Sequence, residues 1–260
     1  QGSALAAELA NTGLDLWTCS RRQDARVRAR PLPSREGLSF EVCEGDAMVR
    51  IDTTLTGDYN IDNLLGVIGA LRAQGLPLAQ IATACADLQA VPGRMQQVMP
   101  DGVSGPLPLA VVDYAHTPDA LTHALQALQP LARERGGRLW CVFGCGGDRD
   151  PHKRPLMAAA AQSLADHLVL TSDNPRSESP AAILIQMQQG LLRAQAATVI
   201  QDRAQAIEHA VLEADGADVV LVAGKGHETT QEIHGVFHTF SDVAQLQQAL
   251  AARAAQEVRA

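Results

Sequence analysis

The chain has 260 residues, 46% hydrophobic and 19% charged, a balance that excludes a disordered protein and allows one large domain or two small ones. Its formal net charge of -8 argues against nucleic acid as a partner, because phosphate backbones are held by clustered Lys and Arg. With aromatics at only 3%, the core has to be built from Ala, Leu, Val and Ile. No stretch approaches the ~20 apolar residues of a membrane span. The start carries Glu8 and no basic cluster, unlike a signal peptide. The five cysteines are an odd, scattered set, which fits reduced thiols and a cytoplasmic setting. Cys141 and Cys145 have no second Cys or His pair at zinc spacing, so both read as small core residues and no metal site is expected.

The chain opens without Met, in what reads as the middle of a helix, so a truncated or processed product is the expectation. The basic run 21–30 reads as a solvated loop and an edge strand. Two strand-like runs, 37–43 and 47–51, flank the turn Glu44-Gly45-Asp46 and predict a hairpin. Ile61, Leu64, Leu65, Ile68 and Leu71 recur at helical spacing over 60–74, closed by Gly75. Pro77 opens a second helix with Leu78, Ile81, Ala82, Cys85 and Leu88 on one stripe. Val91-Pro92-Gly93-Arg94 breaks the pattern, which places a domain boundary between residues 92 and 93.

From there the rhythm is strand, polar or glycine-rich loop, helix, repeated. Apolar strands at 109–113, 138–143, 167–170 and 218–222 alternate with helices at 118–135, 155–164, 180–193 and 202–213. A hairpin-like strand through His234, Val236 and His238 and a helix over 241–253 close the chain. Near-continuous apolar strands between amphipathic helices predict an α/β fold: a doubly wound, mainly parallel sheet over 93–260 with helices on both faces.

In such a sheet ligands bind beyond the carboxyl ends of the strands, and the unusual polar residues all fall there. In Asp113-Tyr114-Ala115-His116-Thr117-Pro118, Thr117 reads as an N-cap and Pro118 as the first helical residue. That helix start favours an anion, with Asp113 and His116 beside it. Gly144-Cys145-Gly146-Gly147-Asp148-Arg149-Asp150 lets a backbone approach something closely, but the charged run after it does not fit a dinucleotide fingerprint. Asp173-Asn174-Pro175-Arg176 offers a guanidinium fork for a carboxylate or phosphate, or an Arg that merely caps a surface turn. Gly224-Lys225-Gly226-His227-Glu228 contains a Gly-Lys pair, yet G-x-x-x-x-G-K-[ST] is absent from the sequence.

Taken in order, these four loops resemble the C-terminal domain of the amino-acid-adding Mur ligases. Gly57-Asp58-Tyr59-Asn60-Ile61-Asp62-Asn63 and Pro92-Gly93-Arg94 are similar to the late central domain of the same family. The Asp-Asn-Pro-Arg form resembles the branch that adds meso-diaminopimelate to UDP-MurNAc-L-Ala-D-Glu in peptidoglycan synthesis. The resemblance implies that 1–92 is the tail of the central ATP-binding domain and 93–260 a Rossmann-like, amino-acid-binding domain. It implies that Asn60 and Asn63 lie by adenine, Arg94 near the nucleotide, Asp113 at the ribose and His116 by the phosphates. Arg149, Asp173, Asn174, Pro175, Arg176, Gly224 and Glu228 would hold the incoming diaminopimelate. The implied chemistry is ATP-dependent amide-bond formation through an acyl phosphate.

The family's phosphate-binding loop, magnesium carboxylate, carbamylated lysine and UDP-sugar-binding domain would all precede Gln1. ATP and Mg2+ are then cofactors of a longer enzyme, with neither firmly bound expected here and no catalytic residue of its own assigned to this chain. The UDP-MurNAc-dipeptide would need the missing N-terminal domain, and no ligase turnover is expected from the chain alone. Two alternatives remain: a non-catalytic amino-acid-binding module, and another ligase of the superfamily such as folylpolyglutamate synthase. The Asp-Asn-Pro-Arg loop is not expected in the latter.

Overall fold

The computed structural model describes residues 2–100, 102, 105–193 and 197–257. The chain divides into two compact units, 1–89 and 90–260, a division three residues ahead of the boundary expected between 92 and 93.

The first unit contains α1 (Gly2–Leu9), β1 (Cys19–Ser20), β2 (Val27–Leu32), β3 (Leu38–Glu44), β4 (Ala47–Thr53), α2 (Tyr59–Ala73) and α3 (Leu78–Ala86). Its sheet runs β1-β2-β3-β4, with β2, β3 and β4 antiparallel. Glu44 pairs with Ala47 across the two-residue loop Gly45-Asp46, so the expected hairpin is present. Ile61, Leu64, Leu65 and Ile68 on α2 bury against Phe40, Val42 and Ile51 of the sheet. The basic run departs from expectation. β2 lies between β1 and β3 rather than at an edge. Arg21 is nearly buried, bonded to Asp62 through Nη2 at 2.7 Å and to Asp58 at 3.1 Å. Both carboxylates stand at the start of α2, where the helix dipole favours negative charge. Leu88 also departs, being exposed and beyond the end of α3.

The second unit is built on β5 (Gln96–Val98), β6 (Leu109–Asp113), β7 (Leu139–Cys145), β8 (His167–Ser172), β9 (Thr198–Val199) and β10 (Val219–Ala223), in the order β5-β6-β10-β7-β8-β9. All neighbours are parallel except β5, which runs antiparallel to β6. The helices are α4 (Pro118–Arg135), α5 (Lys153–Leu164), α6 (Pro180–Gln188), α7 (Arg203–Glu213) and α8 (Asp242–Glu257). Side chains of successive strand residues point to opposite faces, and β10 shows the consequence. Val219, Leu221 and Ala223 join the core formed with α4, α5 and α6, while Val220 and Val222 join the core formed with α7 and α8. The sheet is therefore doubly wound and covered on both faces, which is why β10 is apolar at every position.

The local signals of α4 are all realised. Thr117 accepts the Ala120 N–H at 3.2 Å, Pro118 is the first helical residue, and Gly136 ends the helix in the left-handed region. Two segments differ from the sequence reading. α6 stops at Gln188 instead of reaching 193. The hairpin is made of β11 (Thr230–Ile233) and β12 (Val236–Thr239), so His234 lies in the turn with Gly235 rather than in a strand. Cys141 and Cys145 are buried core residues on β7, their thiols pushed up to about 12 by burial.

Candidate functional site

Because β10 inserts between β6 and β7, the loops that follow β6, β7, β8 and β10 meet at one end of the sheet. They enclose a cavity of about 260 Å3 whose lining includes His116, Arg149, Asp173, Asn174, Arg176, Gly224 and Glu228. Seven residues singled out from sequence therefore share one space. Pro175 does not line it; that residue is buried, and its carbonyl accepts the Glu178 N–H at 3.0 Å. Asp113 also stands back. Its two carboxylate oxygens accept the N–H groups of Met95 and Ala115, each at 2.8 Å, and burial raises its pKa. Arg94 is exposed and lies over the Tyr114 ring, 5.0 Å from its centroid. Asn60 and Asn63 belong to the first unit, where Asn60 donates to the Thr56 carbonyl and Asn63 to the Asn60 side chain.

The glycine loop after β7 is pinned from below. Arg154, 1% exposed, donates to the Gly146 carbonyl at 3.0 Å and makes a two-pronged pair with Glu178, both contacts at 2.8 Å. Glu178 also accepts the Asp148 N–H. A Cβ on Gly147 would lie 1.9 Å from the Pro175 carbonyl oxygen, so only glycine lets this loop touch the next one.

Arg176 is half-buried and directed by three neighbours. Its Nη1 donates to the Gly147 carbonyl at 2.8 Å, and its Nε lies 3.3 Å from Glu232. Its backbone pairs with the hairpin through Arg176 N–H to Glu232 O and His234 N–H to Arg176 O. Gln231 donates to the Asp173 carbonyl at 2.7 Å. The Asp-Asn-Pro-Arg loop thus has a sheet-like brace that its sequence did not announce. Arg149 is exposed at the cavity, with no hydrogen-bond or ion-pair partner among the described residues.

Two buried cations complete the frame. Lys225 has no solvent access and donates to Asn174 Oδ1 and Glu228 Oε2, each at 2.9 Å. Asn174 Nδ2 donates to the same Glu228 oxygen at 2.8 Å. Burial tends to raise the Glu228 pKa, but the bonds from Lys225 and Asn174 outweigh it and hold the group below its ordinary value. Asp173, buried at the cavity wall, goes the other way: burial raises its pKa despite the nearby Arg203 and Lys225. Arg203 donates to the carbonyls of Ser172 and Ala223, the last residues of β8 and β10. In the sequence Lys225 stood within the Gly-Lys-Gly-His-Glu loop and as an incomplete nucleotide motif, with no role of its own assigned, and Arg203 had no motif around it.

Residues 93–226 match the Mur ligase, glutamate ligase domain family. The chain belongs to the Mur ligase family. It is 52% identical over 254 residues to a UDP-N-acetylmuramoyl-L-alanyl-D-glutamate--2,6-diaminopimelate ligase of Acidovorax sp., covering 97% of this chain and 50% of that protein. A solved structure of a ligase of the same description has a TM-score of 0.77 at 36% identity, covering 96% of this chain and 51% of the other. Folylpolyglutamate synthase from Thermotoga maritima shares the fold, with a TM-score of 0.59 at 19% identity, covering 76% of this chain and 44% of the other. This Mur ligase chain spans about half the length of the curated relatives it matches.

Among the described residues, no helix is long and apolar enough to cross a membrane.

Proposed function

We propose that this chain is the C-terminal half of a ligase that adds meso-diaminopimelate to UDP-MurNAc-L-Ala-D-Glu, a cytoplasmic step in peptidoglycan synthesis, and that its second unit binds the incoming amino acid. The observation that carries this is the cavity in which Arg149, Arg176 and Glu228 line one space. Diaminopimelate has two carboxylates and two amines. Guanidinium forks suit the carboxylates through charge-assisted bonds, and Glu228 suits an ammonium. Asn174 and Asp173 hold Glu228 and the adjacent backbone in place.

In this reading the chain's contribution is orientation. One amine of diaminopimelate gives up its proton and attacks the carbonyl carbon of an acyl phosphate made from the precursor's carboxylate with ATP. Phosphate leaves as the amide forms. Holding the amine near attack geometry supplies rate enhancement without a covalent role for any residue of this unit. Asn60, Asn63, Arg94, Asp113 and His116 are proposed to approach the nucleotide in the longer enzyme. ATP and Mg2+ would act there, where a phosphate loop can carry charge that this chain has no motif to hold. The relation to diaminopimelate ligases at 52% and 36% identity favours this reading over a folylpolyglutamate synthase, which is alike at 19%.

The test is incorporation of meso-diaminopimelate against lysine by the full-length ligase carrying Arg176→Ala. Lysine lacks the second carboxylate, so wild type should prefer diaminopimelate, and Arg176→Ala should lose much of that preference, with Arg176→Lys failing to restore it. An unchanged preference in Arg176→Ala removes the proposed role.

A further inference from the structure

We propose that Lys225, which does not line the cavity itself, is a positioning residue that decides which amines the site accepts, by holding Glu228 and Asn174 from behind. The proposal rests on the amino-acid-binding reading above and extends it to a residue with no direct ligand contact.

The geometry is closed on three sides. Glu228 Oε2 accepts from both Lys225 Nζ and Asn174 Nδ2, at 2.9 and 2.8 Å. Asn174 Oδ1 accepts from Lys225 Nζ at 2.9 Å and from the Glu232 N–H at 3.1 Å. The Asn174 amide is thereby fixed in one orientation, with its Nδ2 toward Glu228. One carboxylate oxygen of Glu228 is occupied by the protein, and the side chain, 33% exposed, keeps the other for a ligand. Lys225 joins residues from two different loops, after β8 and after β10, with no solvent access of its own. A buried ammonium is held in such a place only by well-made partners.

The charge pattern sets the selectivity. Arg154 is answered by Glu178, Arg176 by Glu232 and Glu228 by Lys225, so three of the charged groups at the cavity are balanced within the protein. With Glu228 balanced, it attracts an ammonium through direction rather than through excess charge. A side-chain amine such as lysine's then gains little here, whereas an amino-acid end of diaminopimelate, whose ammonium is accompanied by a carboxylate for Arg149, gains through both groups. Without Lys225, Glu228 becomes an uncompensated charge, or takes up a proton, and its side chain and the Asn174 amide lose their fixed orientation.

The experiment uses the 260-residue chain and Lys225→Met, titrated calorimetrically with meso-diaminopimelate and with lysine. The carboxyl of Glu228 is followed against pH by NMR in the empty protein. Lys225→Met should weaken diaminopimelate binding by about tenfold and narrow its advantage over lysine. It should also move the Glu228 titration to higher pH, because the cation 2.9 Å from that carboxylate is gone; the narrowed preference over lysine is the change that a merely structural role would not produce. Affinity and preference both unchanged overturn the proposal, whatever the titration does. If wild type binds neither amino acid, the diaminopimelate reading fails, while the Glu228 titration still decides whether Lys225 positions it. Should Lys225→Met not fold, the wild-type Lys225 ammonium protons serve instead. Slow exchange with water supports the held geometry, and exchange as fast as at a surface lysine overturns it.

Discussion

Arg203 and Asp242 form an ion pair without solvent access on either side chain, Nε to Oδ1 and Nη2 to Oδ2 both at 2.7 Å. The same guanidinium donates to the Ser172 carbonyl at 3.2 Å and the Ala223 carbonyl at 3.0 Å. Those residues directly precede Asp173 and Gly224, so the first residue of α7 and the first of α8 together set where two site loops begin. Removing one partner strands a charge in the interior, which costs about 3–5 kcal/mol. Arg203→Met and Asp242→Leu should each destabilise the fold on that scale, and the double variant should lose less than their sum. Urea denaturation of the four proteins in a double-mutant cycle measures this; simple additivity contradicts the coupling.

Asp173 and Glu228 should give opposite pH signatures of stability. Burial raises Asp173 above its ordinary 3.8, so between that value and the folded pKa the folded chain holds a proton that the unfolded chain has released. Stability from this group therefore falls as pH rises through the window. Glu228 is lowered from 4.5, so its contribution is present above 4.5 and is lost as pH falls through the folded value. Relative to Asp173→Asn, wild type should lose ground as the solution is taken from acid to neutral. Relative to Glu228→Gln, it should gain ground. Denaturation midpoints across a pH series read both differences, and flat differences refute both.

Gly147→Ala should disturb the site more than an ordinary loop substitution. Its Cβ would meet the Pro175 carbonyl at 1.9 Å and the Glu178 Cβ at 3.3 Å, so the glycine loop and the Asp-Asn-Pro-Arg loop must separate. Arg176 loses its bond to the Gly147 carbonyl in that movement. We expect diaminopimelate binding to fall by about tenfold or more, as when a positioned charge-assisted bond is lost, together with a lowered melting temperature. Wild-type affinity in Gly147→Ala contradicts the close approach.

Cys141 and Cys145 should resist alkylation in the folded chain. Burial pushes both thiols up to about 12, which leaves almost no thiolate near neutral pH. Cys43 is only half-buried and should react first. Iodoacetamide labelling at pH ~8, read by mass spectrometry of peptides, should modify Cys141 and Cys145 only after denaturant is added. Rapid labelling of either in native protein counts against the buried β7 core.

What the sequence determined by itself was whatever depends on near neighbours. The periodicity of Ile61, Leu64, Leu65 and Ile68, the Thr117 cap with Pro118, and the apolar run 109–113 each arise from interactions within a few residues, and the elements appear where those patterns lie. The polar residues of the four strand-end loops were likewise visible as departures from apolar strands. The short strands β5 and β9 were not, since three and two residues cannot display a period of two. Nor did the run 180–193 reveal that α6 would stop at Gln188. Only the tertiary structure decided that β10 enters between β6 and β7, and that insertion brings the loop carrying Glu228 beside the one carrying Asn174. The partners of Lys225, Arg154 and Arg203 include groups 51, 24 and 39 residues away in sequence. No local pattern records such separations. They are settled by the need to satisfy each charge once the sheet has excluded water, and that need exists only in the folded chain.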